Sequence, residues 1–188
     1  VESFLAAGAS DFSEMLSLKA VRLISGNFLK VIKEPHDLEA RKKIAVAQYM
    51  AGMSFTNAGL GIVHSMAHPL SAYYDIPHGI ANALILPYIV EFNSEGYSGC
   101  KEKMNELAEA FDPEFDEDRC AATSAEHCAA IIRSFIKAAG LPERLSDAGA
   151  KEEDIPELAR SAYNDASTPD NPRKVGEADL EKLYRKMF

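Results

Sequence analysis

Three of the five histidines in this 188-residue chain fall within fifteen residues: His64, His68 and His78. Imidazole is the commonest side-chain ligand for divalent transition metals, and it also moves protons near neutral pH. His64 and His68 stand four apart, so a helix carries both on one face. That spacing matches the helical histidine pair of zinc hydrolases. Those sites need a Glu directly after the first His as general base, and here Ser65 and Met66 follow His64. His78 lies fourteen residues beyond His64, past the turn residues Asp75-Ile76-Pro77. If the flanking helices are antiparallel neighbours, that turn brings His78 back beside His64 or His68. In the first turn of its helix, the positive helix end disfavours imidazolium and keeps the ring neutral, the form a metal takes. Asn57 lies close by in sequence. The plainer alternative for each ring is a hydrogen-bonded residue on a helix surface.

The elements that must position these groups are helical. Phe12, Met15, Leu16, Leu23, Ile24, Phe28, Val31 and Ile32 keep to three- and four-residue steps, and Pro35 ends the run. Asp37 is placed to cap the next helix, which carries Ile44, Ala47, Met50, Ala51 and Phe55. Gly59 and Gly61 interrupt it, since each glycine weakens a helix by about 1 kcal/mol. A helix over 62–74 follows. Asp75 is expected to cap the next one, with Pro77 in its first turn and Pro87 kinking it. Further helices are expected near 100–111, 119–139, 153–163 and 177–187, with a stop at Gly140-Leu141-Pro142. No alternating strand pattern, internal repeat or low-complexity tract is present. The expectation is one all-α domain over 1–188, an irregular, non-repeating multi-helix bundle of about eight helices.

Composition fits this picture and removes other classes. Hydrophobic residues make up 47% of the chain and charged residues 26%, which is globular rather than disordered. A domain of this length buries roughly 70% of its extended surface, enough for a core without covalent staples. Net charge is −9, which argues against nucleic acid or an anionic membrane as partner. No apolar stretch reaches the ~18 residues of a membrane span. Residues 1–10 have no basic start of a signal peptide. Cys100, Cys120 and Cys128 form no closed disulfide set and no C-x-x-C pair, as in a reducing, cytoplasmic compartment. Other features take structural readings. The acidic run 114–118 is a solvated loop or helix start, Met50, Met53 and Met66 are core filler, His36 is a surface turn residue, and His127 sits on a helix with no partner nearby.

Longer blocks carry a resemblance. The run Gly52-Met53-Ser54-Phe55-Thr56-Asn57-Ala58-Gly59-Leu60-Gly61-Ile62-Val63-His64-Ser65-Met66-Ala67-His68-Pro69-Leu70 resembles the signature of the iron-containing (group III) alcohol dehydrogenases. Pro77-His78-Gly79-Ile80-Ala81-Asn82-Ala83-Leu84-Ile85-Leu86-Pro87, Phe92-Asn93 and Asn171-Pro172-Arg173 extend the likeness over essentially the whole chain. The resemblance implies the C-terminal helical domain of the dehydroquinate synthase-like fold. It also implies a divalent metal, Fe(II) or Zn(II), held by one Asp and three His. The last two of those histidines match His64 and His78. His68 matches a histidine beside the nicotinamide and substrate that relays a proton, and Phe55 matches a residue lining the substrate pocket. The implied reaction moves a hydride between NAD(P)H and a small aldehyde or primary alcohol. The implied partners are that substrate, the protein's own N-terminal nucleotide-binding domain and a second copy in a homodimer.

The family's Asp and first His lie in an Asp-Ala-x-x-His-Ala-x-Glu motif whose last two positions would be Val1-Glu2. With no Met at position 1, those two ligands are expected just before residue 1. The Gly-rich phosphate turn does not occur in these residues, so the 188 residues alone are expected to be inactive. The competing expectation is a non-catalytic helical interaction or scaffold domain whose histidines only pack and hydrogen-bond.

Overall fold

The computed structural model describes residues 1–95, 99–118 and 122–188. Among them are ten α-helices, two 3-10 turns and no strand: α1 (Glu2–Leu5), α2 (Asp11–Ser25), α3 (Phe28–Lys33), α4 (Leu38–Ala58), α5 (Ile62–Tyr74), α6 (His78–Asn93), α7 (Cys100–Phe111), α8 (Ser124–Ala138), α9 (Ile155–Tyr163) and α10 (Glu177–Lys186). The all-α expectation holds, with more pieces than the eight expected. Cys120 and the first residues of the helix expected over 119–139 lie outside the described residues. No helix among the described residues is long and apolar enough to cross a membrane.

Local chemistry sets the helix ends. The Ser10 hydroxyl and Ser13 cap α2 reciprocally, as Thr123 and Glu126 do for α8. Asp37 caps α4, accepting the Ala40 N–H at 2.9 Å. The apolar run ending at Pro35 is two helices rather than one. The chain breaks at Gly26-Asn27, where the Asn27 amide donates back to the Leu23 carbonyl at 2.8 Å. Asp75 does not cap α6. It takes a left-handed conformation (φ 53°) and ends α5, a role its short polar side chain tolerates. Pro77 then occupies the cap position of α6, and α6 continues through Pro87.

The core has two parts. Ile62, Met66 and Leu70 of α5 pack with Ile85 of α6, Leu158 of α9 and Tyr184 of α10. Phe4 of α1 packs with Leu107 of α7 and with Cys128 and Ile132 of α8. Helix α6 serves both, turning Leu84, Ile85 and Ile89 to the first and Val90 to the second. A helix that is apolar on all sides has to be enclosed in this way. Burial pushes the Cys128 thiol up to about 12, which leaves it an inert core group.

Helix α4 is less enclosed than its apolar content suggested. Its buried positions include Ala40, Ala47 and Ser54, seven apart, a narrow stripe against α2. Met66 is core as expected, but Met50 and Met53 lie off that stripe and stay partly exposed. Ser54 closes a buried ring of hydroxyls with Ser17 (2.6 Å) and Ser3 (2.9 Å), tying α1 and α2 to α4. His127 also differs from expectation. Its Nε2 pairs with Asp112 at 3.2 Å, and its ring lies 4.7 Å from that of Phe115.

Candidate metal centre

The α5–α6 turn does bring the three histidines together. His64 and His68 occupy successive turns of α5, and His78 opens α6. Ring centroids are 5.2 Å apart for His64 and His78, 5.4 Å for His68 and His78, and 6.2 Å for His64 and His68.

Two carboxylates from distant parts of the chain orient the α5 rings. The buried Glu2 uses both oxygens: Oε1 accepts the Val63 N–H at 2.7 Å, and Oε2 accepts from His64 Nδ1. With its proton on Nδ1, His64 presents an Nε2 lone pair. Asp165 does the same for His68, accepting from Nδ1 at 2.7 Å. Burial raises the Asp165 carboxyl, but the Ser167 N–H and His68 outweigh it and hold its pKa below the ordinary value.

The Asn82 amide Nδ2 lies 2.9 Å from His78 Nε2 and 3.4 Å from His64 Nε2. An amide nitrogen only donates, so both ring nitrogens act as acceptors and their lone pairs both point at the Asn82 amide nitrogen. The Asn82 Oδ1 is buried without a hydrogen-bond partner among the described residues. His64 and Asn82 also line an apolar pocket of about 350 Å³ together with Val21, Phe111, Ile132 and Phe135. Two convergent imidazole lone pairs, one ring steered by a carboxylate, are a donor set that fits Fe(II) or Zn(II). The set is partial. Among the described residues no group of three or more His, Cys, Asp and Glu could hold a metal.

Phe55 and Asn57 are not part of this network. Phe55 is 43% exposed near the end of α4, and the Asn57 amide donates back to the Met53 carbonyl at 2.7 Å.

The whole chain, residues 1–188, matches the model of the Fe-containing alcohol dehydrogenase family, C-terminal. The chain belongs to that family. Lactaldehyde reductase of Escherichia coli K12 is 36% identical over 189 residues, covering 98% of this chain and 47% of the relative. An NAD-dependent methanol dehydrogenase of Bacillus methanolicus is 32% identical over 189 residues, covering 98% of this chain and 48% of the relative. The crystal structure of a 1,3-propanediol oxidoreductase superposes with a TM-score of 0.92 at 34% identity, over 100% of this chain and 48% of that one. The chain thus spans about half the length of the relatives it matches.

Within this family member, sequence reasoning singled out the three rings and missed their supports. Glu2 and Asp165 lie 62 and 97 residues from their histidines, a separation that carries no local signal. Asn82 was within reach, because it sits four residues after His78 on the same helix.

His78 makes the stability of the metal-free protein depend on pH. Partial desolvation of this largely exposed ring, then the nearby His64 and His68, lower its pKa below the ordinary imidazole value. The unfolded chain takes up this proton near pH 6.5, while the folded chain resists it. Stability from this group is therefore complete above that pH and is lost as pH falls through the lower folded value. Melting temperatures of metal-stripped protein between pH 8 and 5 should fall on the acid side. His78→Gln should flatten the fall, and an unchanged slope in that variant would exclude His78 as its source.

Proposed function

We propose that this chain is the metal-holding helical domain of an NAD(P)-linked alcohol dehydrogenase or aldehyde reductase acting on small primary alcohols and aldehydes. The observation that carries this reading is the convergence of His64 Nε2 and His78 Nε2, in a member of the Fe-containing alcohol dehydrogenase family. Lactaldehyde, 1,3-propanediol and methanol, named for the relatives, mark the substrate class. We read residues 1–188 as a single domain that works with a nucleotide-binding domain, and the activity as that of the whole protein. A cytoplasmic location agrees with the free thiols of Cys100 and Cys128.

His64 and His78 would hold Fe(II) or Zn(II) through Nε2, with ligands from elsewhere in the protein completing the set. Such a metal supplies a Lewis acid that favours the alkoxide form of an alcohol. Glu2 keeps the His64 proton on Nδ1, so Nε2 stays a donor to the metal. Asp165 does the same for His68 and leaves His68 Nε2, on a ring 45% exposed, to exchange a proton with the substrate oxygen or a water. Phe55, exposed at the end of α4, is assigned to the wall of the substrate pocket. His68 also faces the nicotinamide in this reading.

The test is metal removal from the whole protein. After chelation and verified loss of metal, NADH-linked lactaldehyde reduction should fall to background and return on addition of Fe(II) or Zn(II). Full activity in metal-free protein would overturn the reading.

A further inference from the structure

Helix α5 starts at Gly61, which has no side chain to cap the helix, although the first N–H groups of any helix lack intrahelical partners. Side chains from opposite ends of the chain supply the caps. Asn171 Oδ1 accepts the Ile62 N–H at 3.4 Å, and Glu2 Oε1 accepts the next one, from Val63, at 2.7 Å. The two oxygens close over Gly61 so tightly that a Cβ there would lie 2.9 Å from Asn171 Oδ1 and 3.0 Å from Glu2 Oε1. Two residues earlier Gly59, at φ +80°, passes under Asp170, whose carboxylate occupies the space a Cβ would need.

Asn171 is itself buried and held from several sides. It exchanges two hydrogen bonds with the buried Asn93 of α6, at 3.0 and 2.9 Å, and donates to the Arg173 carbonyl at 2.6 Å. The neighbouring Asp170 carbonyl accepts the Ala7 N–H at 2.8 Å, just beyond α1. The 170–173 segment thus joins the end of α1, the start of α5 and the end of α6 at one point. His64 stands two residues beyond Ile62, and its tautomer depends on the second oxygen of Glu2.

We propose that Asn171 is a positioning residue for the metal centre: by capping α5 in trans and meeting Glu2 over Gly61, it sets the register in which Glu2 holds the His64 ring with its proton on Nδ1. This rests on the proposed function only for its effect on metal binding. The geometric part is independent of any metal.

The experiment uses the whole protein, labelled with ¹⁵N-histidine and stripped of metal. Long-range ¹H–¹⁵N spectra report the tautomer of each ring, with the His64 signal assigned by its loss in His64→Gln. Asn171→Ala should replace the single Nδ1–H signature of His64 with averaged shifts. Leu107→Ala, in the other half of the core, should lower the melting temperature and leave that signature intact. Asn171→Asp, which keeps an oxygen for the Ile62 N–H but cannot donate to Asn93 Oδ1 or the Arg173 carbonyl, should show the loss in weaker form. Asn93→Ala should show the same loss in weaker form, and it carries the test if Asn171→Ala does not fold.

On titration with Zn(II), Asn171→Ala should bind about tenfold more weakly than the parent, the lower range for losing an outer support of a metal ligand, and Leu107→Ala should match the parent. An unchanged His64 signature in both Asn171→Ala and Asn93→Ala would overturn the proposal. A changed signature in a protein whose parent binds no metal would uphold the positioning role and overturn the metal reading instead.

Discussion

His78→Ala in the whole protein should lower NADH-linked aldehyde reduction about a thousandfold and remove most of the bound metal. A Lewis acid on the alcohol oxygen contributes several kcal/mol to the transition state, and about 4 kcal/mol corresponds to that factor. His78 is the better of the two proposed ligand positions to test, because it is exposed at the start of α6 and, among the described residues, its Nε2 meets only the Asn82 amide. The metal-free variant should therefore melt within a few degrees of the metal-free parent. His64→Ala should lose activity to the same extent but with an added cost to folding. It would leave the buried Glu2 Oε2 without its partner, an unsatisfied group worth about 1–3 kcal/mol. Metal content is read by elemental analysis and turnover by NADH oxidation. Wild-type metal content in His78→Ala would remove that ring from the centre.

His68→Ala should behave differently. Turnover should fall by roughly 10²–10⁴-fold, the range for loss of a positioned acid–base group, with metal content close to that of the parent. The ring lies 5.4 Å from His78, near enough to serve the same substrate oxygen. Asp165 keeps its contact with the Ser167 N–H when the ring is removed, so the fold loses little. Loss of the metal on this substitution would make His68 a ligand rather than a proton carrier. Unchanged turnover would leave it without a chemical role.

Much of the site was legible because its core is local. A four-residue helical step, a three-residue turn and the first position of the next helix set His64, His68 and His78 within about 6 Å of one another. Those are short-range facts of helix geometry, and periodicity reports them directly. The boundaries of α5 and α7 were equally legible, because each helix follows a glycine, Gly61 or Gly99, and stops at an aspartate, Asp75 or Asp112. The errors came where a local rule had a competitor. Asp75 can cap a following helix or end the preceding one in a left-handed conformation. The short α5–α6 turn selects the second. The apolar run through Ile32 satisfies helical periodicity throughout, yet Gly26-Asn27 ends one helix and starts another. His127 looked unpartnered because Asp112, on the preceding loop, is fifteen residues away in sequence.

By itself, then, the sequence determined an all-α chain, the helix that presents His64 and His68, and the turn that returns His78 to them. These follow from spacing, capping and the φ/ψ preferences of a few residues. Its long matched blocks were also enough to place it among the iron-containing alcohol dehydrogenases. What only the tertiary structure decided is the state of those rings. Glu2 and Asp165 set which nitrogens carry protons, Asn82 marks where two lone pairs converge, and Asn171 caps the helix that bears His64. Each of these is a hydrogen bond, and all but that of Asn82 join residues 60 or more positions apart. Packing of the whole bundle alone brings such partners into reach.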